Sequence, residues 1–129
     1  MSDKEKKISE ETNEKAQKLL LESTTKGTFK LNTPIRAASQ DVNELEYDFT
    51  KLTGWEYVEA MDADMAAKNI FKVSQKQALC LFAAAAAKAT PNVDATDIKE
   101  RIGAVDAMRA VQLTTVFLVS SARAANQNT

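Results

Sequence analysis

From Ala78 to Ala87 the chain runs for ten residues without a charge or a polar side chain. On a helix, Leu79, Phe82 and Ala86 form one stripe, and Ala78, Leu81 and Ala85 form another that lies nearly opposite. A helix that is apolar all round is normally buried all round. The run is too short to cross a bilayer, which takes ~20 such residues, so protein must surround it. A second segment behaves similarly. Between 107 and 124, Met108, Val111, Leu118 and Ala122 line one face and Ala110, Leu113 and Phe117 line the reverse, with Arg109 and Arg123 as the only charges. A chain of 129 residues supplies one domain and one core. Such a core encloses one helix of this kind centrally, but two are hard to enclose. Two readings stay open. The alanines Ala83–Ala87 reflect helix propensity or close helix packing, or apolar surface is left over as a partner site.

The rest of the chain supplies what packs around these helices. Residues 1–26 read as a charged tail, flexible over 1–8, with a short helix from Ser9 to about Leu21 whose apolar cluster is Leu19, Leu20 and Leu21. After Gly27, alternating polar and apolar residues predict a hairpin of strands at about 28–35 and 42–49, turning at Ser39-Gln40-Asp41. Leu45, Tyr47 and Phe49 share one strand face, and Glu44, Glu46 and Asp48 the other. Two capping boxes then mark helix starts. Thr53 with Glu56 opens a helix from Gly54 to about Lys68, with Leu52 and Tyr57 at staple positions. Its buried stripe is Val58, Met61 and Met65, and Glu56 and Glu59 point away. Ser74 with Gln77 opens a helix from Gln75 to about Ala89, stopping before Pro91. Asp94 or Thr96 begins a short helix through Ile102, ended by Gly103 at the C′ position. Asp106 caps the last helix, Ala107 to about Ala124, and 126–129 fray. The fold expected is α+β and mostly helical, an N-terminal β-hairpin packed on a bundle of about four helices, with residues 27–125 as a single domain.

Little in the chain points to chemistry. There is no His, which excludes a His general base, a His-Cys zinc site and a Ser-His-Asp triad. The single Cys80 sits in the apolar run and reads as a small hydrophobe. It cannot form an internal disulfide, so a reducing cytoplasm is expected, and no signal peptide follows Met1. Asp62 and Asp64 diverge on a helix and have no Gly-rich loop around them. Gly27, Gly54 and Gly103 are too isolated to cradle a phosphate. A non-enzymatic protein with no cofactor and no metal is expected. The net charge of −1 argues against nucleic acid. That figure hides a pattern of +2 over 1–40, −7 over 41–67 and +4 over 68–129. The acidic block can steer a basic partner, attract the basic remainder of a second copy, or simply keep the surface solvated. Trp55, in the first turn of its helix, either anchors the hairpin or stands exposed as an interface aromatic.

The order of these parts carries a resemblance. A strand pair ends in Leu45-Glu46-Tyr47-Asp48-Phe49, and Leu52-Thr53-Gly54-Trp55-Glu56 follows. An Ala-rich helix leads to Asp97-Ile98-Lys99-Glu100-Arg101-Ile102 and then to a last helix from Asp106 through Val116-Phe117-Leu118. Over roughly 28–124 this resembles the tail assembly chaperones of long-tailed bacteriophages and related prophages. The resemblance implies a transient assembly factor in the cytoplasm of the bacterial host. Such a factor binds the tape-measure protein, keeps it soluble, helps recruit tail-tube protein and is absent from the mature particle. It also implies a longer frameshifted form, of which this chain would be the shorter counterpart. The expected partner-binding residues are Leu113 and Phe117, packing either in the core or against the client, together with Trp55, Glu56 and Glu59. The competing readings are a structural tail-completion or connector subunit, and a small helical cytoplasmic adaptor unrelated to phage.

Overall fold

The computed structural model describes residues 24–62 and 73–127. The expectations for the segment before Thr24, for Met65 and the stretch to Lys68, and for Asn128 and Thr129 lie outside the described residues. Strand β1 (Lys26–Ala37) pairs antiparallel with β2 (Gln40–Asp48), and a 3-10 turn (Phe49–Lys51) follows. Then come α1 (Gly54–Asp62), α2 (Gln75–Ala89), α3 (Ala95–Arg101) and α4 (Ala104–Gln127). This is the expected α+β, mostly helical architecture, a hairpin packed on four helices.

The period-2 pattern sets the buried face of the hairpin. Phe29, Ile35 and Ala37 of β1, and Leu45, Tyr47 and the following Phe49, turn into the core. Helix α2 lies at the centre: Ala78, Phe82, Ala83, Ala85 and Ala86 are fully enclosed, and Leu81 nearly so. The Phe82 ring sits 5.0 Å from Phe29 and 5.9 Å from Tyr47, within the range of favourable edge-to-face contacts. Small side chains let neighbours approach on several sides, so α2 touches β2, α1, α3 and α4. For Ala83, Ala85 and Ala86, close packing is the reason for the alanines. The start of α2 falls where its capping box places it. Gln77 N donates to Ser74 Oγ at 3.1 Å, and Ser74 N donates to Gln77 Oε1 at 2.8 Å.

Several local expectations are corrected. Helix α1 buries Ala60, with Met61 half-buried, while Val58 is 42% exposed. Tyr57, expected at a staple position, is also exposed. A helix described over only nine residues turns just one narrow face to α2, and Val58 falls outside it. Gly103 does not end α3 in a left-handed conformation, since no described glycine has positive φ. Instead Ile102 caps α3, and the Gly103 carbonyl accepts Ala107 N at 2.8 Å to begin α4. Helix α4 therefore starts at Ala104 and runs to Gln127, beyond the expected Ala124. Asp106 lies inside its first turn rather than capping it.

Asp106 acts across the fold instead. Pairing of β1 with β2 is interrupted between Lys30 and Ile35, where four β1 residues face Asn43 alone. Such a bulge frees backbone donors that the ladder no longer satisfies. The Asp106 carboxylate, 1% exposed, takes two of them, Asn32 N and Thr33 N, each at 3.0 Å. Arg109 binds the same carboxylate at 2.9 Å, donates to the Lys30 carbonyl at 2.9 Å and lies 4.6 Å over the Phe29 ring. Burial pushes the Asp106 carboxyl up, but the two backbone donors and Arg109 outweigh it and hold it below its ordinary 3.8.

The hairpin turn lies at Ala38 and Ser39, with φ of 52° and 65°, and Gln40 and Asp41, expected in the turn, belong to β2. Two consecutive positive φ values make a type I′ turn, which favours Asn and Gly and strains Ala and Ser. Ala38→Asn with Ser39→Gly is expected to stabilise the fold by about 1 kcal/mol, or roughly 4 °C in Tm, read by thermal denaturation. Asp106→Ala is expected to cost about 1–3 kcal/mol in urea unfolding. Because the folded Asp106 carboxyl is depressed, its contribution is complete above the unfolded value. It is lost as pH falls below 3.8 through the folded one. Asp106→Asn should therefore flatten the acid limb of stability against pH, and an unchanged limb would contradict the assignment.

Candidate functional site

One surface with exposed apolar side chains lies along α4. Its inner face carries Ala110 and Thr114, both fully buried, with the Thr114 hydroxyl donating to the Ala110 carbonyl at 2.8 Å. Its outer side exposes Val105 by 59%, Met108 by 64% and Val119 by 45%. Between α2 and α4 runs a cleft of about 560 Å³, walled by Leu79, Ala104, Ala107, Met108 and Val111, with Gln75, Lys76 and Gln112 at its rim. The order of side chains along α4 produces this arrangement. Ala110, Thr114 and Phe117 face inward, which turns Met108 and Val119 out because they lie across the helix axis. An apolar trough edged by an unbranched, adaptable methionine can accept the apolar face of another helix.

A second surface belongs to α1. Trp55 is 70% exposed and donates its indole N–H to Glu59 Oε1 at 2.6 Å, an i,i+4 contact. Val58, Glu59 and Asp62 are exposed beside it. Glu56 does not point away as expected. It closes the capping box, accepting Thr53 N at 3.0 Å, and also pairs with Lys88 of α2. Lys88 donates in turn to the Lys51 carbonyl at 3.0 Å. The Lys88 hydrogen bond, reinforced by Thr53, lowers the Glu56 carboxyl below its usual value. A groove of about 460 Å³ separates α1 from α3, floored by the small side chains of Ala60, Cys80, Ala84 and Ala87. Cys80 is half-buried there.

The five residues expected to meet partners thus separate into three groups. Leu113 and Phe117 are half-buried and pack on the core, the Phe117 ring stacked on Phe49 at 4.2 Å and 12°. Glu56 is committed to the α1–α2 junction. Trp55 and Glu59 stand on the open α1 face, some distance along the chain from α4. Val105 lies outside the helix expected from Ala107, but because the helix begins at Ala104 it falls three residues before Met108 and is exposed on the same side. Among the described residues no group of three or more acidic or sulfur ligands is placed to hold a metal ion. Among them, too, no helix is long and apolar enough to cross a membrane. Comparison with protein-family models, with curated proteins and with solved structures returns no match.

Exposure separates the two aromatics by their contribution to stability. Trp55→Ala is expected to change the unfolding free energy by less than about 0.5 kcal/mol. Phe117→Ala is expected to cost about 2–4 kcal/mol, since it removes a stacked ring from the edge of the core. Urea denaturation of both variants checks this, and equal losses would contradict the placement of Trp55.

Proposed function

We propose that this protein is an assembly chaperone for a helical client, of the kind that serves phage tail assembly. In this reading the client is the tape-measure protein, and the bound complex also receives tail-tube protein. The work is done in the cytoplasm of the host, and the chaperone does not stay in the finished particle. The observation that carries the reading is the α2–α4 cleft with Met108 at its lip, an apolar trough on a helix that has no charge between Ala110 and Ala122. Surface of this kind is tolerated where a partner covers it. The chemistry required of a holding chaperone is reversible burial of an amphipathic helix, and nothing in that task calls for a nucleophile or a metal.

The reading is tested by co-expression with a tape-measure protein, scoring how much of the latter stays soluble. Wild-type protein should raise the soluble fraction several-fold. Ala107→Asp with Met108→Asp should abolish that rescue while leaving the helical circular dichroism unchanged. Leu113→Asp with Phe117→Asp should instead lose the dichroism, because these side chains pack on the core. Absence of rescue by the wild type would refute the chaperone reading. Detection of the protein in purified particles by mass spectrometry would favour a structural tail subunit.

A further inference from the structure

The exposed side of α4 has a repeat that runs beyond the client cleft and shares with it only Met108 and Gln112. Val105, Met108, Gln112, Thr115, Val119 and Ala122 are spaced alternately three and four residues apart, the seam of a two-helix coiled coil. They lie on the outward side: all are exposed except Thr115, which is half-buried. From Val105 to Ala122 the seam extends for about 26 Å at the helical rise.

We infer that this seam binds a second copy of itself, with the two α4 helices antiparallel. The order of side chains carries the choice of occupant, because it is self-complementary when reversed. Val105 meets Ala122 of the second copy, Met108 meets Val119, and Gln112 meets Thr115, after which the same pairs recur in the opposite sense. Each apolar layer then joins a larger side chain to a smaller one, which fills space evenly. The two polar side chains fall in the central layers, where an amide and a hydroxyl can bond to each other and fix the register. In a parallel pair the same seam would place Met108 against Met108 and Gln112 against Gln112.

Electrostatics favour the same arrangement. No charged residue occurs from Ala110 to Ala122, so over that stretch the two α4 helices bring no like charges together. Of the charges beside the seam, Asp106 is buried, and Arg109 is held away from it by Asp106, the Lys30 carbonyl and the Phe29 ring. Antiparallel packing also sets the helix dipoles against each other favourably. A single helix pair buries less than the ~1,600 Å² of a standard interface, so the dimer is reversible and concentration-dependent. The inference concerns the purified protein alone and stands or falls independently of the client.

Sedimentation equilibrium of the full chain tests it, with Met108→Glu and Val119→Lys as variants. Wild type should pass from monomer to dimer as concentration rises. Each variant alone should weaken dimerisation by about tenfold or more, since it sets an unpaired charge in an apolar layer. Both should keep wild-type circular dichroism. An equimolar mixture should regain a dimer, because only the antiparallel register brings Glu at 108 against Lys at 119. A wild type that stays monomeric up to millimolar concentration overturns the proposal, as does a dimer that Met108→Glu leaves intact. A mixture that stays monomeric overturns the register. A variant that lost its dichroism would be replaced by Gln112→Cys with Thr115→Cys in separate chains and Cys80→Ser in both. Those chains should then cross-link to each other more readily than either does to itself, and equal self-cross-linking would equally overturn the register.

Discussion

The pairing of Asp106 with the bulge in β1 is the interaction on which the rest of the arrangement depends. A two-stranded sheet is too small to stand alone and must lie on helices. Here it is bonded to them as well as packed. Interrupting the ladder between Lys30 and Ile35 releases backbone donors, and a carboxylate from the first turn of α4 receives two of them. That single group therefore fixes where α4 begins relative to β1, although more than seventy residues separate them. Arg109 completes the junction by neutralising Asp106 and covering Phe29. Arg101 adds a hydrogen bond to the Arg36 carbonyl just beyond the bulge. Once α4 is held by its first turn, its inner side chains follow into the core and its outer ones have nowhere to go but solvent.

The central helix makes this economy of parts workable. Alanines at 83, 85 and 86 remove bulk at the positions where neighbours crowd α2, and Phe82 fills the space under the hairpin. Gly27 performs a related service at the edge, for a Cβ there would come within 3.1 Å of the Tyr47 hydroxyl oxygen. The loop after α2 is tied to the sheet by Thr90, whose hydroxyl accepts from Glu46 N at 2.9 Å and donates to the Glu46 carbonyl at 2.8 Å. Polar bonds locate the elements and small side chains let them close.

Local signals in the sequence proved informative where the controlling contacts are local. The Ser74 and Thr53 capping boxes place two helix starts correctly because both partners lie within four residues. Alternation of Leu45, Tyr47 and Phe49 identifies the buried strand face because a strand offers only two. The failures share a different cause. An Asp before an apolar run looks like a cap, and no nearby residue reveals that Asp106 serves β1 instead. Glu56 looks solvent-facing until Lys88 arrives from another helix. Ala38 is not a turn-forming residue, so the strained turn leaves no mark in the composition. Of the surface side chains, Trp55 was legible as an aromatic of either role, and only its surroundings decide for exposure. The core placement of Phe117 similarly depends on Phe49, which is far away in the chain.

The position of Trp55 has an optical consequence. It is the only tryptophan in the chain, and it already stands largely in water in the folded protein. Its emission should therefore change little when the chain unfolds, so a flat fluorescence trace during denaturation is no sign of a stable or an unfolded sample. The same exposure makes it sensitive to whatever comes to rest on α1. In this molecule the indole is a poor witness to folding and a good witness to company.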